Sequence, residues 1–278
     1  MQEELKEPPV PFYLNPDQKR DTRSLYEQAF PEDSRRFVDF YYEYKTRDNE
    51  ILALEEEGQI VSMLHLNPYR MIVNGYETAG CYIVAVATRE DCRGRGHMCT
   101  LLEKALKDQS ARKLPFVFLM PASERIYSPF DFVWICPHTE LPERVRRMDA
   151  DEQNRYLAAR YQMFCRRDAR YLEYERAERA AEEGEAPDGK IPPYMARITD
   201  VCRMLRLAGS SRDQKRYLHV KDDLIPQNNG YFLWETFRGE QKVRRLEERP
   251  PRLDLDLTVG ELASLIFGGF RICLTEMV

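Results

Sequence analysis

Residues 86–106 read VATREDCRGRGHMCTLLEKAL. The stretch begins as the end of an apolar strand, crosses a loop holding Arg89, Arg93, Gly94, Arg95 and Gly96, and enters a helical pattern. Met98, Leu101, Leu102, Ala105 and Leu106 share one helical face, which fixes the start of that helix against a sheet. Gly94 and Gly96 let the backbone turn sharply and approach a ligand with no Cβ in the way. Free amides and the positive dipole end at the start of a helix favour an anion there, and Arg93 and Arg95 can add charge-assisted bonds to phosphate. The competing reading is a solvated arginine-rich turn before an ordinary helix. Spacing removes two nucleotide motifs. A G-x-G-x-x-G fingerprint would need glycine at Cys99, and no Gly-Lys-Ser/Thr follows for a Walker loop.

Upstream, helical patterns run from Asp17 to Phe30 and through Phe37, Phe40, Tyr41 and Tyr44, separated by Pro31. The β-type runs EILALEEEG, QIVSMLHLNPYRMIVNG and AGCYIVAVAT follow, with turns expected at Glu57-Gly58, Asn67-Pro68 and Asn74-Gly75. Downstream come the apolar FVFLM at 116–120, a short helix around 124–130 and the strand FVWIC ending at Cys136. Helices, a meander, then alternating strand and helix predict an α/β (α+β) fold with a mixed sheet flanked by helices. From 141 to about 185 the chain is dense in Arg, Glu, Ala and Tyr with charges of alternating sign, which predicts one or two partly exposed helices. The prolines and glycines of EEGEAPDGKIPP mark a domain boundary. Beyond it, MARITDV enters a helix capped by Asp200. KRYLHVKDD and GYFLWETF read as strands joined by PQNNG, and Thr258 with Glu261 forms a capping box before a last helix and strand.

With 278 residues the chain is longer than one core usually needs, and 43% hydrophobic with 32% charged residues describes an ordinary soluble protein. A net charge of -5 and a pI near 5.6 argue against a nucleic-acid partner and suit a cationic substrate. The acidic start has no secretory character, and no apolar run approaches a membrane span, so no membrane partner and a cytoplasmic location are expected. Seven scattered cysteines without a C-x-x-C pair read as reduced thiols, and four histidines at no ligand spacing predict no metal site.

Arg93-Gly94-Arg95-Gly96 after YIVAVAT resembles the acetyl-coenzyme A loop of the GNAT acyltransferase superfamily, whose pattern is Arg/Gln-x-x-Gly-x-Gly/Ala. Met98 occupies the last position, and a bulky residue there is typical of the Eis-like branch. FLMPASERIYSPFDF at 118–132 resembles that branch's serine-glutamate, tyrosine and aromatic pattern. MARITDV, PQNNGYF and LTVGELASLIFGGF resemble its sterol-carrier-protein-like domain. The resemblance implies a GNAT acetyltransferase domain at 1–140, a helical connector at 141–192 and a smaller α+β sterol-carrier-like domain at 193–278. Two features depart from it. The segment 141–192 is too short for the second acetyltransferase-like domain usual in the branch, and Asp131 stands where many relatives have glycine.

The activity so implied is N-acetyl transfer from acetyl-coenzyme A, as co-substrate, to an amine of a small molecule or a lysine or N-terminal amine of a protein. A primary amine is only about one part in a thousand deprotonated at neutral pH, so a base is needed. By resemblance, backbone groups of Ala85, Val86 and Ala87 pair with the pantetheine arm, and Arg93, Gly94, Arg95, Gly96, His97 and Met98 take the pyrophosphate. Ser123 and Glu124 lie beside the cofactor, Tyr127 is the general acid, and the main-chain carboxylate at Val278 is the base, with the Glu276 side chain as alternative. FRICLTEMV is strand-like to its last residue. A covalent route through Cys92 or Cys99, the latter within the first helical turn, competes with direct attack but has no identifiable His and Asp partners apart from His97, whose spacing assigns it no role. Other readings are a non-catalytic acyl-coenzyme A-binding sensor and a lipid-binding module. A homo-oligomer is left open.

Overall fold

Asn74 and Gly75 both take positive φ, 49° and 81°, the turn geometry whose twist suits two paired strands. Around this hairpin the first sheet is built. The computed structural model describes residues 9–182, 191–209 and 212–278. The N-terminal half runs β1 (Phe12–Tyr13), α1 (Arg23–Ala29), α2 (Arg35–Tyr44), β2 (Glu50–Glu56), β3 (Gln59–Val73), β4 (Tyr76–Thr88), α3 (His97–Ala111), β5 (Phe116–Leu119), α4 (Glu124–Tyr127) and β6 (Val133–Cys136). It continues through α5 (Glu143–Arg146), α6 (Ala150–Ala158), β7 (Met163–Cys165), α7 (Ala169–Glu182) and β8 (Tyr194–Ile198). The remainder is α8 (Val201–Ala208), β9 (Gln214–Lys221), β10 (Gly230–Phe237), β11 (Glu240–Leu246), β12 (Leu255–Thr258), α9 (Val259–Phe267) and β13 (Ile272–Cys273).

The larger sheet has the order β1-β2-β3-β4-β5-β8-β6, with β7 on the far part of β3 and β13 on β7. The smaller sheet is β11-β10-β9-β12. The mixed α/β expectation holds, and the expected caps form: Asp200 accepts from the Arg203 amide, and Thr258 with Glu261 closes a capping box.

Three expectations change. No turn forms at Asn67-Pro68; β3 runs straight through it, with Pro68 opposite Cys81. The reason is local, because pairing with β2 ends at Leu66 and pairing with β7 begins at Met71, so Pro68 sits where the second neighbour of β3 is missing. The segment 141–192 is also more than a helical connector. Its Met163–Cys165 stretch is a strand paired with both β3 and β13, three consecutive buried residues between Gln162 and Arg166. Finally, β8 lies antiparallel to both β5 and β6, so the first strand of the segment at 193–278 completes the larger sheet. Pro187 and Gly189 of the expected boundary fall outside the described residues.

One continuous apolar cluster therefore spans both sheets, from Leu101 and Phe118 through Leu205 to Phe232 and Phe267. At the junction, Arg197 of β8 pairs with Asp222 at 2.7 Å, both side chains fully buried. Arg197 also donates to the carbonyls of Phe130 and Ile198, while Asp222 accepts from the amides of Leu224 and Ile225 and from the Asn228 side chain. Asp131 takes φ 60°, the left-handed region where glycine is easiest, and packs against Gly260, where an added Cβ would lie 3.0 Å from its Oδ1. Asp222→Ala leaves Arg197 a buried charge without its partner. We expect denaturant unfolding to show a loss of about 3–5 kcal/mol, the usual cost of breaking such a pair from one side.

Candidate active site

β4 and β5 run parallel and pair only from Cys81↔Val117 to Ile83↔Leu119. Beyond Ile83 the strands part, while β4 stays paired with β3 on its other side. The register between β3 and β4 shifts between Met63 and His65, and Ala85, opposite that shift, has φ 50°. Such a bulge re-aims a strand and leaves backbone groups unpaired. Val84 to Thr88 thus have no strand on the β5 side, although the Ala87 carbonyl accepts from the Ser62 hydroxyl and the Thr88 carbonyl from Arg93.

The loop that follows has the geometry its sequence predicts. Gly94 and Gly96 have φ 78° and 81°, and a Cβ added at either would meet nothing within 4 Å. Gly96 is the N-cap of α3, with no side-chain cap and no acidic residue in the first turn. The leading amides of α3 therefore have no side-chain cap. Arg93 bonds the Thr88 carbonyl and Arg95 bonds Glu56 and the Asp91 carbonyl, which leaves both exposed on the loop. His97 is buried, its Nε2 3.0 Å from Glu56 Oε1 but not aligned as a hydrogen bond. Met98 packs against the core. Ser123 and Glu124 are exposed at the start of α4. Cys99 is exposed and Cys92 buried.

The parted strands open into a cleft of about 2100 Å³ lined by Val84, Ala85, Val86, Met120, Ala122 and Tyr127 on one side. Tyr127 is buried, and burial pushes its hydroxyl up to about 12. Among the described residues its hydroxyl has no hydrogen-bond partner, so it is a protonated donor with nothing yet to donate to.

The chain segment 275–278 lines the same cleft. The Tyr194 hydroxyl donates to the Glu276 carbonyl at 2.6 Å and the Tyr82 hydroxyl to the Met277 carbonyl at 3.0 Å. Lys45 Nζ and the Tyr69 hydroxyl both donate to the Val278 main-chain oxygen at 2.7 Å. Tyr127 and Val278 therefore line one cavity, although 151 positions separate them in sequence. Glu276, the alternative base, is committed elsewhere: Arg167 Nη1 lies 2.9 Å from its Oε1, and the Tyr171 hydroxyl and Thr275 amide donate to it. Burial alone would raise its carboxyl, but Arg167, Tyr171 and the Thr275 amide outweigh it and leave the group below its ordinary value. A carboxylate held ionised by a fixed cation makes a poor proton acceptor.

Lys45, Tyr69, Tyr82, Arg167, Tyr171 and Tyr194 escape the sequence reading. The one available signal is on α7 and just before it, where Arg167, Tyr171, Tyr174 and Glu178 recur at helical spacing. That stripe is polar and aromatic, so it does not resemble the aliphatic face by which buried helices are recognised.

Residues 13–135 match the acetyltransferase (GNAT) domain family, and residues 201–273 match the sterol carrier protein domain family. Among solved structures, a conserved protein of Enterococcus faecalis described as a probable N-acyltransferase is similar at TM-score 0.68 and 12% identity, over 94% of this chain and 90% of that one. A GCN5-related N-acetyltransferase of Anabaena variabilis is similar at TM-score 0.66 and 15% identity, over 92% and 90%. Eis1 of Mycobacterium abscessus is similar at TM-score 0.64 and 12% identity, over 94% and 90%. At these identities the likeness is one of fold. No curated protein matches the chain. The protein is an enzyme of the acyltransferase class, built from a GNAT acetyltransferase domain and a sterol carrier protein domain. Among the described residues no helix is long and apolar enough to cross a membrane.

The depressed Glu276 carboxyl has a consequence for stability. Its folded-state value lies below the unfolded one, so its contribution is present above about pH 4.5 and is lost as pH falls through the folded value. Thermal unfolding measured across pH 3 to 7 should show a shallower acid limb in Glu276→Gln than in the unmodified protein, with a lower Tm at pH 7 because Arg167 loses its counter-charge.

Proposed function

We propose that the protein transfers an acetyl group from acetyl-coenzyme A to a primary amine, carried by a small molecule or by a lysine or N-terminus of a protein. The observation that carries the reading is the cleft at the parting of β4 and β5, which both Tyr127 and Val278 line. The residues present suit the co-substrate. The backbone of Ala85, Val86 and Ala87, with no strand on its β5 side, suits the amides of a pantetheine arm, which would bind as an added strand. The uncapped start of α3 at His97 and Met98, with Gly94 and Gly96 clear of side chains and Arg93 and Arg95 exposed beside them, matches a pyrophosphate. Ser123 and Glu124, exposed at the start of α4, would lie beside the bound co-substrate.

In this reading the amine nitrogen attacks the thioester carbonyl carbon, the carbon–sulfur bond breaks, and the Tyr127 hydroxyl gives its proton to the departing thiolate. The proton lost by the amine passes to the main-chain carboxylate at Val278. Direct attack is favoured over a cysteine intermediate because Cys99 is exposed on α3 and does not line the cleft.

Tyr127→Phe should bind acetyl-coenzyme A as the unmodified protein does, yet release thiol about 10²-fold more slowly with an amine acceptor. Unchanged turnover would remove Tyr127 from the mechanism. Two residues added after Val278 should abolish transfer while leaving the melting curve in place, and full activity of that extended chain would remove Val278. An amine panel assayed by thiol release tests the reading as a whole: cofactor binding without turnover of any amine would support a sensor instead.

A further inference from the structure

The wall of the cleft contributed by α7 carries a charge that the chemistry above leaves unused. Glu178 is buried and lines the cavity. Its Oε2 lies 3.3 Å from Lys45 Nζ, and its Oε1 has no hydrogen-bond partner among the described residues. Lys45, whose side chain is only 9% exposed, donates in turn to the Tyr69 hydroxyl at 3.1 Å and to the Val278 main-chain oxygen at 2.7 Å. The chain of contacts is therefore Glu178, Lys45, Val278, with Tyr69 bonded to both of the latter.

We propose that Glu178 is a positioning residue for the acyl transfer: through Lys45 it holds the Val278 main-chain oxygen in the cleft and balances the ammonium charge beside it. The proposal rests on Val278 being the base. A carboxylate facing an uncompensated ammonium holds its negative charge too well to accept a proton. With Glu178 on the far side of Lys45, the ammonium is shared between two carboxylates and Val278 regains proton affinity. The arrangement also answers a cost, since a buried ammonium or carboxylate alone is strongly unfavourable.

The other groups facing Glu178 leave this balance intact. From β3 and β4 come Tyr69 and Tyr82, whose hydroxyls burial pushes well up, so both are neutral. The chain end supplies Glu276, already neutralised by Arg167. From α7 itself comes Glu175, and Asp48 near the opening is paired with Arg170. Burial raises the Glu178 carboxyl and Lys45 opposes that rise. What remains beside Val278 is the Lys45 and Glu178 pair.

The test is kcat/KM for one amine acceptor against pH, by thiol release, with the full chain. Removing the anion in Glu178→Gln should move the acidic limb down by about one pH unit and lower turnover about tenfold, because the base weakens. Removing the cation in Lys45→Met should move the limb up by about one unit. The double variant, with neither charge, should bring the limb back toward that of the unmodified protein, and Glu178→Asp should keep it there. Melting curves and acetyl-coenzyme A binding read the fold separately. Limbs that stay put, or that move in the same direction in both single variants, with normal turnover in the unmodified protein, would overturn the proposal alone. No thiol release by the unmodified protein with any amine would overturn the acyl-transfer reading itself, and this proposal with it.

Discussion

The ion pair between Arg167 and Glu276 is the constraint on which the site depends. Both side chains are essentially inaccessible, 0% and 1% exposed, and two buried charges are tolerated only when geometry and further hydrogen bonds compensate the loss of water. Here they do. Arg167 also reaches the Cys165 carbonyl and the Thr275 hydroxyl, while Tyr171 and the Thr275 amide complete the shell of Glu276. Arg167 belongs to the segment between β7 and α7, and Glu276 lies three residues beyond β13. The pair thus binds the last residues of the chain against α7, and with Tyr82, Tyr194, Tyr69 and Lys45 it leaves Val278 only one place to go.

The same economy governs the sheet. β4 has to pair with β5 to close the core and part from it to open the cleft, and the bulge at Ala85 lets one strand do both. β8 then covers the free edge of β5, and one apolar cluster spans both sheets. Arg197 and Asp222 satisfy each other at that junction, where an apolar side chain would leave the Phe130 carbonyl without its donor. The two sheets therefore share a common core, and the segment 275–278 that lines the cleft follows β13, a strand of the larger sheet.

Much of the fold was legible because it rests on local rules. Asn74-Gly75 reads as a hairpin and is one, Thr258 with Glu261 reads as a capping box and is one, and the glycines of 86–106 take the positive φ that their spacing suggests. Asn67-Pro68 misled because proline usually marks a strand's end; whether it does depends on a missing neighbour, which is set by β2 and β7 from other parts of the chain. Met163–Cys165 was hidden for a related reason. Three residues carry no periodicity, and only the uncovered edge of β3 makes them a strand.

The candidate site divides along the same line. Sequence alone determined the loop, the amphipathic helix behind it and the tyrosine at 127, because backbone freedom at glycine, helical periodicity and motif spacing are properties of contiguous residues. Only the tertiary structure decided that Lys45 and Tyr69 meet Val278, that Glu178 meets Lys45, that Glu276 is spent on Arg167, and that Val278 and Tyr127 line one cleft. Those contacts join residues 109 to 233 positions apart, and their cause is electrostatic: buried charges must find partners, and no spacing rule in the chain says which they will find.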